Sequence, residues 1–279
     1  MNKKYSILTC ILNDYEYVRE PEEVDPDVEY VLVTDDPNLK SDIWTIKLID
    51  PVLKELPIYC QVNYIKYHPF EYTTTGCCMF VDGSIQLKSA HNPMMLDFIN
   101  SDAELLEVNN LCFQDIVDEL RRWSYFKFYG GVSYSSLGYV LDLITADNPN
   151  NEFGYNSGRY NNGLIQTTMY ACKNTASIRA LNDVIWCMLT KREDRMTMGL
   201  VSYLVNKYMY QSDKIMLVRN NILFSRWMDY RMHRSDESQL HDFIENWNIY
   251  HPDNPNNCDP KTVSRIWYQN RERDISVYI

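Results

Sequence analysis

The chain has 279 residues, enough for one or two domains and for a core that needs no cross-links, and 45% of them are apolar and can fill it. Lys and Arg number 27 against 38 Asp and Glu, a formal charge of −11, which argues against nucleic acid and anionic membrane surfaces as general partners. Glycine, at 9 residues, is under half of its ~7% average usage, and neither G-x-G-x-x-G nor G-x-x-x-x-G-K occurs, so the chain carries no glycine-rich phosphate cradle.

Met1 to Lys4 run directly into an apolar stretch without the h-region and cleavage site of a signal peptide. No apolar run approaches the ~20 residues of a membrane helix, so the sequence predicts a soluble, cytoplasmic protein. Tyr5 to Leu12 reads as a buried strand that empties into Asn13-Asp14-Tyr15. Tyr30 to Thr34 is a second, closed by Asp35-Asp36-Pro37, and Trp44 to Leu48 a third. From Leu56 to Tyr67, Ile58, Val62 and Ile65 recur at helical spacing, with Pro57 in the first turn and Lys66 near the end. His68, before Pro69, reads as a helix-end residue. Cys77 to Val81 is a fourth buried strand, ending on Asp82-Gly83-Ser84, and its adjacent thiols should face opposite ways, buried. Strands alternating with helices indicate a mainly parallel sheet covered on both faces.

Further on, Phe113 to Tyr129 reads as a helix with acids early and bases late, and Val132 to Ile144 as a weaker one. The segment from Asp147 to Gly163 is a turn-rich excursion of the kind that carries function. Leu164 to Cys172 is a strand, and Ala176 to Leu189 and Met196 to Tyr208 are helices. The run DNPNN, found at Asp147 and again at Asp253, consists of common turn residues and implies no repeat architecture. We expect one domain over residues 1–220 and a C-terminal extension, 221–279, packed on it.

In an open parallel sheet, ligands bind outside the carboxyl ends of the strands. Three predicted strands end in polar residues suited to that place: Asn13, Asp14 and Tyr15; Asp35 and Asp36; Asp82 and Ser84. Asp82-x-Ser84 sets two oxygen side chains on one side of a tight turn, with Gly83 permitting the backbone. Mg²⁺ and Mn²⁺ favour such a carboxylate together with substrate phosphates; a simple polar strand end is the other reading. The 22 Tyr, 6 Trp and 9 Phe suit stacking on bases and sugar rings as well as core packing.

The succession ILNDYEYVREP, YVLVTDDP, Trp44, IKYHPFEY and CMFVDGSIQL resembles a family of GT-A-type glycosyltransferase-like proteins, related at fold level to retaining galactosyl- and glucosyltransferases. The resemblance is good over residues 5–90 and looser, through Asn162-Gly163-Leu164-Ile165 and Arg192-Glu193-Asp194-Arg195, to about residue 235. It implies a GT-A (nucleotide-diphospho-sugar transferase) fold, a nucleotide-sugar donor such as a UDP-sugar and a saccharide or other hydroxyl acceptor, with surface polysaccharide assembly as one setting. By resemblance Asn13, Tyr15 and Asp35 meet the uridine, Lys66 faces the diphosphate and Asp82 is the principal ligand of Mn²⁺ or Mg²⁺, with Ser84 where the family carries a second acid. A C-terminal histidine completes such shells; His233 is preferred here, among Arg231 and Arg234, over His251. Asp194 is the candidate catalytic carboxylate, its other reading being a helix cap, and Asn162 and Gly163 line the acceptor groove. The second function class is a catalytically inactive nucleotide- or carbohydrate-binding relative, because the Ser84 position lacks a charge.

Overall fold

A computed structural model describes residues 3–88, 93–109, 143, 165–190, 197–209, 214–219 and 228–230. The chain divides into a unit Met1–Tyr230 and a second, Arg231–Ile279, which lies outside the described residues. Within the first unit the elements are β1 (Tyr5–Ile11), β2 (Val28–Thr34), β3 (Thr45–Leu48), α1 (Ile58–Tyr67), β4 (Cys77–Val81), β5 (Ile85–Leu87) and α2 (Pro93–Asn100). After these come β6 (Leu105–Asn109), β7 (Ile165–Lys173), α3 (Ala176–Thr190), α4 (Thr197–Met209), β8 (Ile215–Arg219) and β9 (Met228–Tyr230).

Seven strands form one sheet in the order β3-β2-β1-β4-β7-β6-β8, and β5 pairs with β9 in a small separate ribbon. β1, β2, β3 and β4 are mutually parallel, as are β6 and β8, and β7 runs antiparallel to both of its neighbours, β4 and β6. The fold class is therefore α/β with a mainly parallel central sheet flanked by helices, as expected. Every residue of β1 is buried, which a strand covered on both faces requires. On one face Leu8, Val31 and Phe80 pack with Ile65 of α1, Ile185 of α3 and Leu204 of α4. On the other, Ile7, Leu32 and Met79 pack with Met95 and Phe98 of α2. Cys78 joins the first cluster and Cys77 the second, so the neighbouring thiols do point to opposite faces and are buried. Full burial of a side chain such as Phe98 contributes on the order of 1.5–3 kcal/mol.

Several expected details change. α1 begins at Ile58 rather than Leu56, because Leu56 ends a 3-10 turn over Leu53–Glu55, and Pro57 stands at the N-cap with extended ψ of 145° rather than inside the first turn. β2 begins two residues earlier than predicted, at Val28. The strand after residue 164 is antiparallel, a direction that apolar patterning does not encode. The helices expected over 113–129 and 132–144 and the excursion 147–163 fall outside the described residues, Leu143 apart. No helix among the described residues is long and apolar enough to cross a membrane.

Candidate active site

The register places the carboxyl ends of β1, β2 and β4 side by side. Ile11 lies opposite Thr34, and Leu8 opposite Phe80, so Asn13, Asp35 and Asp82 all emerge at one edge of the sheet. At the end of β1 the chain turns sharply. Asn13 and Asp14 have φ of 55° and 51°, the left-handed region that Asn and Asp tolerate better than other residues with a Cβ. The turn is held by Asp35: the Asn13 amide donates to both carboxylate oxygens, at 3.0 and 3.1 Å. The loop after β2 is braced in its turn, the Asp36 amide donating to Thr34 Oγ1 at 3.2 Å and the Asn38 amide to Asp36 Oδ1 at 2.8 Å.

Between these two loops opens a cleft of about 410 Å³. Ile11, Val18 and Leu39 give it apolar walls, and Asn13, Asp14, Glu16, Tyr17, Asp35 and Asp36 give it polar ones. Four of these are carboxylates, and none of the lining residues is Lys, Arg or His. The cleft therefore suits an uncharged group rich in hydrogen-bond donors, such as a ribose or a base edge, better than a phosphate. Tyr15, 54% exposed, is not among the lining residues, whereas Tyr17 is.

The positive charge lies at the neighbouring strand end. Lys66, in the last turn of α1, is buried, its side chain only 6% exposed, and its Nζ meets Asp82 Oδ1 at 3.4 Å and donates to the Thr167 carbonyl. The ammonium also stands over the Phe80 ring, 4.9 Å from its centroid. Along β7, Thr167 O receives Lys66, and Thr168 O receives the Asp82 amide at 2.8 Å, which continues the β4–β7 ladder one residue past Val81 and Met169. The β6–β7 register shifts in the same stretch, between Glu107 and Val108. The Tyr170 hydroxyl donates to the Lys66 carbonyl at 3.0 Å, fixing the end of the helix.

Asp82 keeps 34% of its side chain open, while Ser84 is 1% exposed, its hydroxyl without a hydrogen-bond partner among the described residues. Gly83 has no left-handed φ of the kind expected; what marks the position is close approach, since a Cβ there would stand 3.2 Å from Glu16 Cγ and 3.4 Å from the Cys10 carbonyl, tight enough that Glu16 would have to give by a few tenths of an ångström. That approach seats the Asp82 turn against Glu16, a wall of the cleft. Burial pushes the nearby Cys10 thiol up to about 12, with Asp82 adding to the rise and Lys66 opposing it, so Cys10 is an inert core thiol.

His68 closes α1, its Nδ1 3.0 Å from the Tyr64 carbonyl and its Nε2 3.1 Å from Asp183, as a helix-end residue should. Asp194, His233, His251, Asn162 and Gly163 lie outside the described residues. Among the described residues no three His, Cys, Asp or Glu side chains form a group that could hold a metal ion. Asp82 and Ser84 nonetheless fit the protein's share of a Mg²⁺- or Mn²⁺-type site. Such ions take one or two carboxylates and complete their shell with substrate phosphates and water, and the unpartnered Ser84 hydroxyl is a further oxygen beside the turn. Sequence reading missed Glu107, a buried acid in β6. Its signal was a single acid inside the apolar run Leu105-Leu106-Glu107-Val108.

No protein-family model and no curated protein matches the chain. Among solved structures it is similar to mouse xyloside xylosyltransferase 1 in its apo form, at 7% identity and a TM-score of 0.41, over 77% of this chain and 84% of that one. It is similar also to the galactosyltransferase LgtC in complex with donor and acceptor sugar analogues, at 9% identity and a TM-score of 0.40, over 76% and 73%. A third is the glycosyltransferase GlyE of Streptococcus pneumoniae TIGR4, at 8% identity and a TM-score of 0.41, over 80% of this chain and 47% of that one. The likeness is one of backbone arrangement.

Proposed function

We propose that the chain is a GT-A-type glycosyltransferase that moves a sugar from a nucleoside diphosphate sugar, a UDP-sugar first among the candidates, to a saccharide or other hydroxyl acceptor. The observation that carries this reading is the division of one sheet edge into two parts. A carboxylate-lined cleft for a nucleoside is built on Asn13 and Asp35, and beside it the Lys66–Asp82 pair meets charge. The motif resemblance over residues 5–90 supports the same assignment.

In this reading the ribose hydroxyls donate to the carboxylates of the cleft, with Tyr15 and Tyr17 as aromatic neighbours of the base. Cleavage of the sugar–phosphate bond develops negative charge on the departing diphosphate and positive charge on the anomeric carbon. Lys66 offsets the first by its field, strengthened by burial. Asp194 accepts the proton of the acceptor hydroxyl or stabilises the oxocarbenium-like centre. Mn²⁺ or Mg²⁺ would be held by Asp82, with Ser84 and His233 as further ligands, and would supply Lewis-acid stabilisation of the leaving diphosphate. The setting we propose is surface polysaccharide assembly in the cytoplasm.

A second reading rests on Ser84, a neutral, buried side chain where the family pattern carries an acid. It makes the chain a non-catalytic nucleotide- or carbohydrate-binding relative. A panel of UDP- and GDP-sugars, read by nucleoside diphosphate release with and without Mn²⁺, separates the two. Turnover with any donor supports the transferase. UDP binding in calorimetry without turnover supports the binding protein, and neither binding nor turnover overturns both.

A further inference from the structure

Of the carboxylates that line the cleft, Glu16 differs from Asp14, Asp35 and Asp36 in being buried, its side chain only 3% exposed. Arg19 Nη2 stands 3.6 Å from Glu16 Oε2 and is itself largely covered, at 12% exposure. The Arg19 guanidinium also lies 6.0 Å from the centroid of the Tyr17 ring, another part of the cleft wall. Apolar residues of similar volume in place of a buried ion pair are often neutral or stabilising, so stability does not account for a buried pair at this wall.

Its position does. The strand order β2-β1-β4 sets the loop of Asp35 and Asp36 on one side of the β1 end and the Asp82 turn on the other. Glu16 stands on the Asp82 side, because a Cβ on Gly83 would meet its Cγ at 3.2 Å and its Cβ at 3.3 Å. The segment that follows Glu16 is pinned from three places. Trp44 Nε1 donates to the Arg19 carbonyl at 3.0 Å, Gln86 Nε2 to the Glu20 carbonyl at 2.8 Å, and the Glu22 amide to the Leu87 carbonyl at 2.9 Å. The carboxylate is thus set in place before a ligand arrives, and little ordering remains to oppose binding.

A nucleoside diphosphate runs from base through ribose to phosphates. With its phosphates toward Lys66 and Asp82, its ribose comes to the end of the cleft that Glu16 walls. A carboxylate there offers acceptors only, which suits a hydroxyl. We propose that Glu16, backed by Arg19, accepts from one ribose hydroxyl and makes the cleft select a ribonucleotide over its deoxy counterpart. The assignment rests on the donor-site reading above and names the part of the donor that Glu16 reads.

The test is calorimetry on the full chain with UDP, 2′-deoxy-UDP and 3′-deoxy-UDP. The proteins are the wild type, Glu16→Gln, and a double variant, Glu16→Met with Arg19→Met, which leaves no buried charge stranded. The wild type should bind at least one deoxy analogue about tenfold or more weakly than UDP, the loss of one hydrogen bond to a charged group. Glu16→Gln, which keeps a neutral acceptor, should cut that ratio at least about threefold, and the double variant should bring it below about threefold. The ratio separates recognition from support, since a wall that only collapses weakens UDP and its analogues together. Melting curves without nucleotide check that the variants fold; should the double variant not fold, Glu16→Gln decides. A wild type that binds UDP and both analogues within about tenfold, or a ratio that Glu16→Gln cuts by less than about threefold, overturns the proposal and leaves the donor-site reading standing. A wild type that binds no UDP overturns that reading and the proposal with it.

Discussion

Removing the Asp35 carboxylate tests whether the cleft is a built nucleoside site or a gap between two loops. Both oxygens accept from the Asn13 amide, at 3.0 and 3.1 Å, and this bond spans the junction at which Asn13 and Asp14 hold φ of 55° and 51°. A hydrogen bond to a charged group contributes about 1.5–3 kcal/mol. The Asn13 end is solvent-exposed, so we take about 1 kcal/mol for stability, or roughly 2–4 °C in melting temperature. Binding should suffer more. Without the anchor the left-handed turn can relax, and the cleft loses both a shaped wall and an acceptor for a ribose hydroxyl. Asp35→Ala should therefore weaken UDP binding about tenfold, or about 1.4 kcal/mol. Asp35→Asn keeps one acceptor oxygen without the charge and should fall between Ala and wild type. Melting curves and UDP titration calorimetry on the three proteins check the order. An Asp35→Ala protein that melts and binds UDP like the wild type refutes the assignment of the cleft.

Two further outcomes follow from other parts of the structure. Asp82→Ala should abolish Mn²⁺ binding measured by calorimetry in the presence of UDP, whereas Ser84→Asp should tighten it and, because position 84 is buried, lower the melting temperature without metal. At the amino end of the sheet, burial raises the Glu29 carboxyl, but hydrogen bonds from the Ser6 hydroxyl and from the Thr74 amide and hydroxyl, the latter two at 2.9 Å, outweigh it and hold the group below its ordinary 4.5. A folded-state value below the unfolded one stabilises above about pH 4.5 and is lost as pH falls through the folded value. Stability of Glu29→Gln should accordingly sit below wild type near neutrality and converge on it in acid, and parallel curves at all pH values would contradict the assignment.

What the sequence made legible follows from what apolar patterning encodes. β1, β2 and β4 are unbroken apolar runs because both of their faces are covered, and each run stops where the chain leaves the sheet. Their polar ends were therefore visible as one set before any pairing was known, and the parallel register brings Asn13, Asp35 and Asp82 to one edge. α2 escaped notice as eight residues beginning at Pro93, too short for a helical period to declare itself, and β5 and β9 are three-residue strands that exist through pairing with each other. The antiparallel direction of β7 is a property of the path between strands rather than of the residues within one, so Leu164 to Cys172 could be read as a strand without revealing how it would run.

The same distinction explains why Lys66 and Asp82 were legible and the buried Glu107 was not. Lys66 and Asp82 are sixteen residues apart, and the last turn of α1 lies at the carboxyl edge of the sheet, from which residues 68–76 carry the chain back to the start of β4. Glu107 is buried because β6 is set between β7 and β8, which come from distant parts of the chain. Taken alone, one acid in a strand reads as a solvent-facing position in an alternating pattern. Only the pairing of β6 on both sides, and its covering on both faces, turns that residue inward. Its burial is thus a property of how distant strands come together, which no pattern within one strand carries.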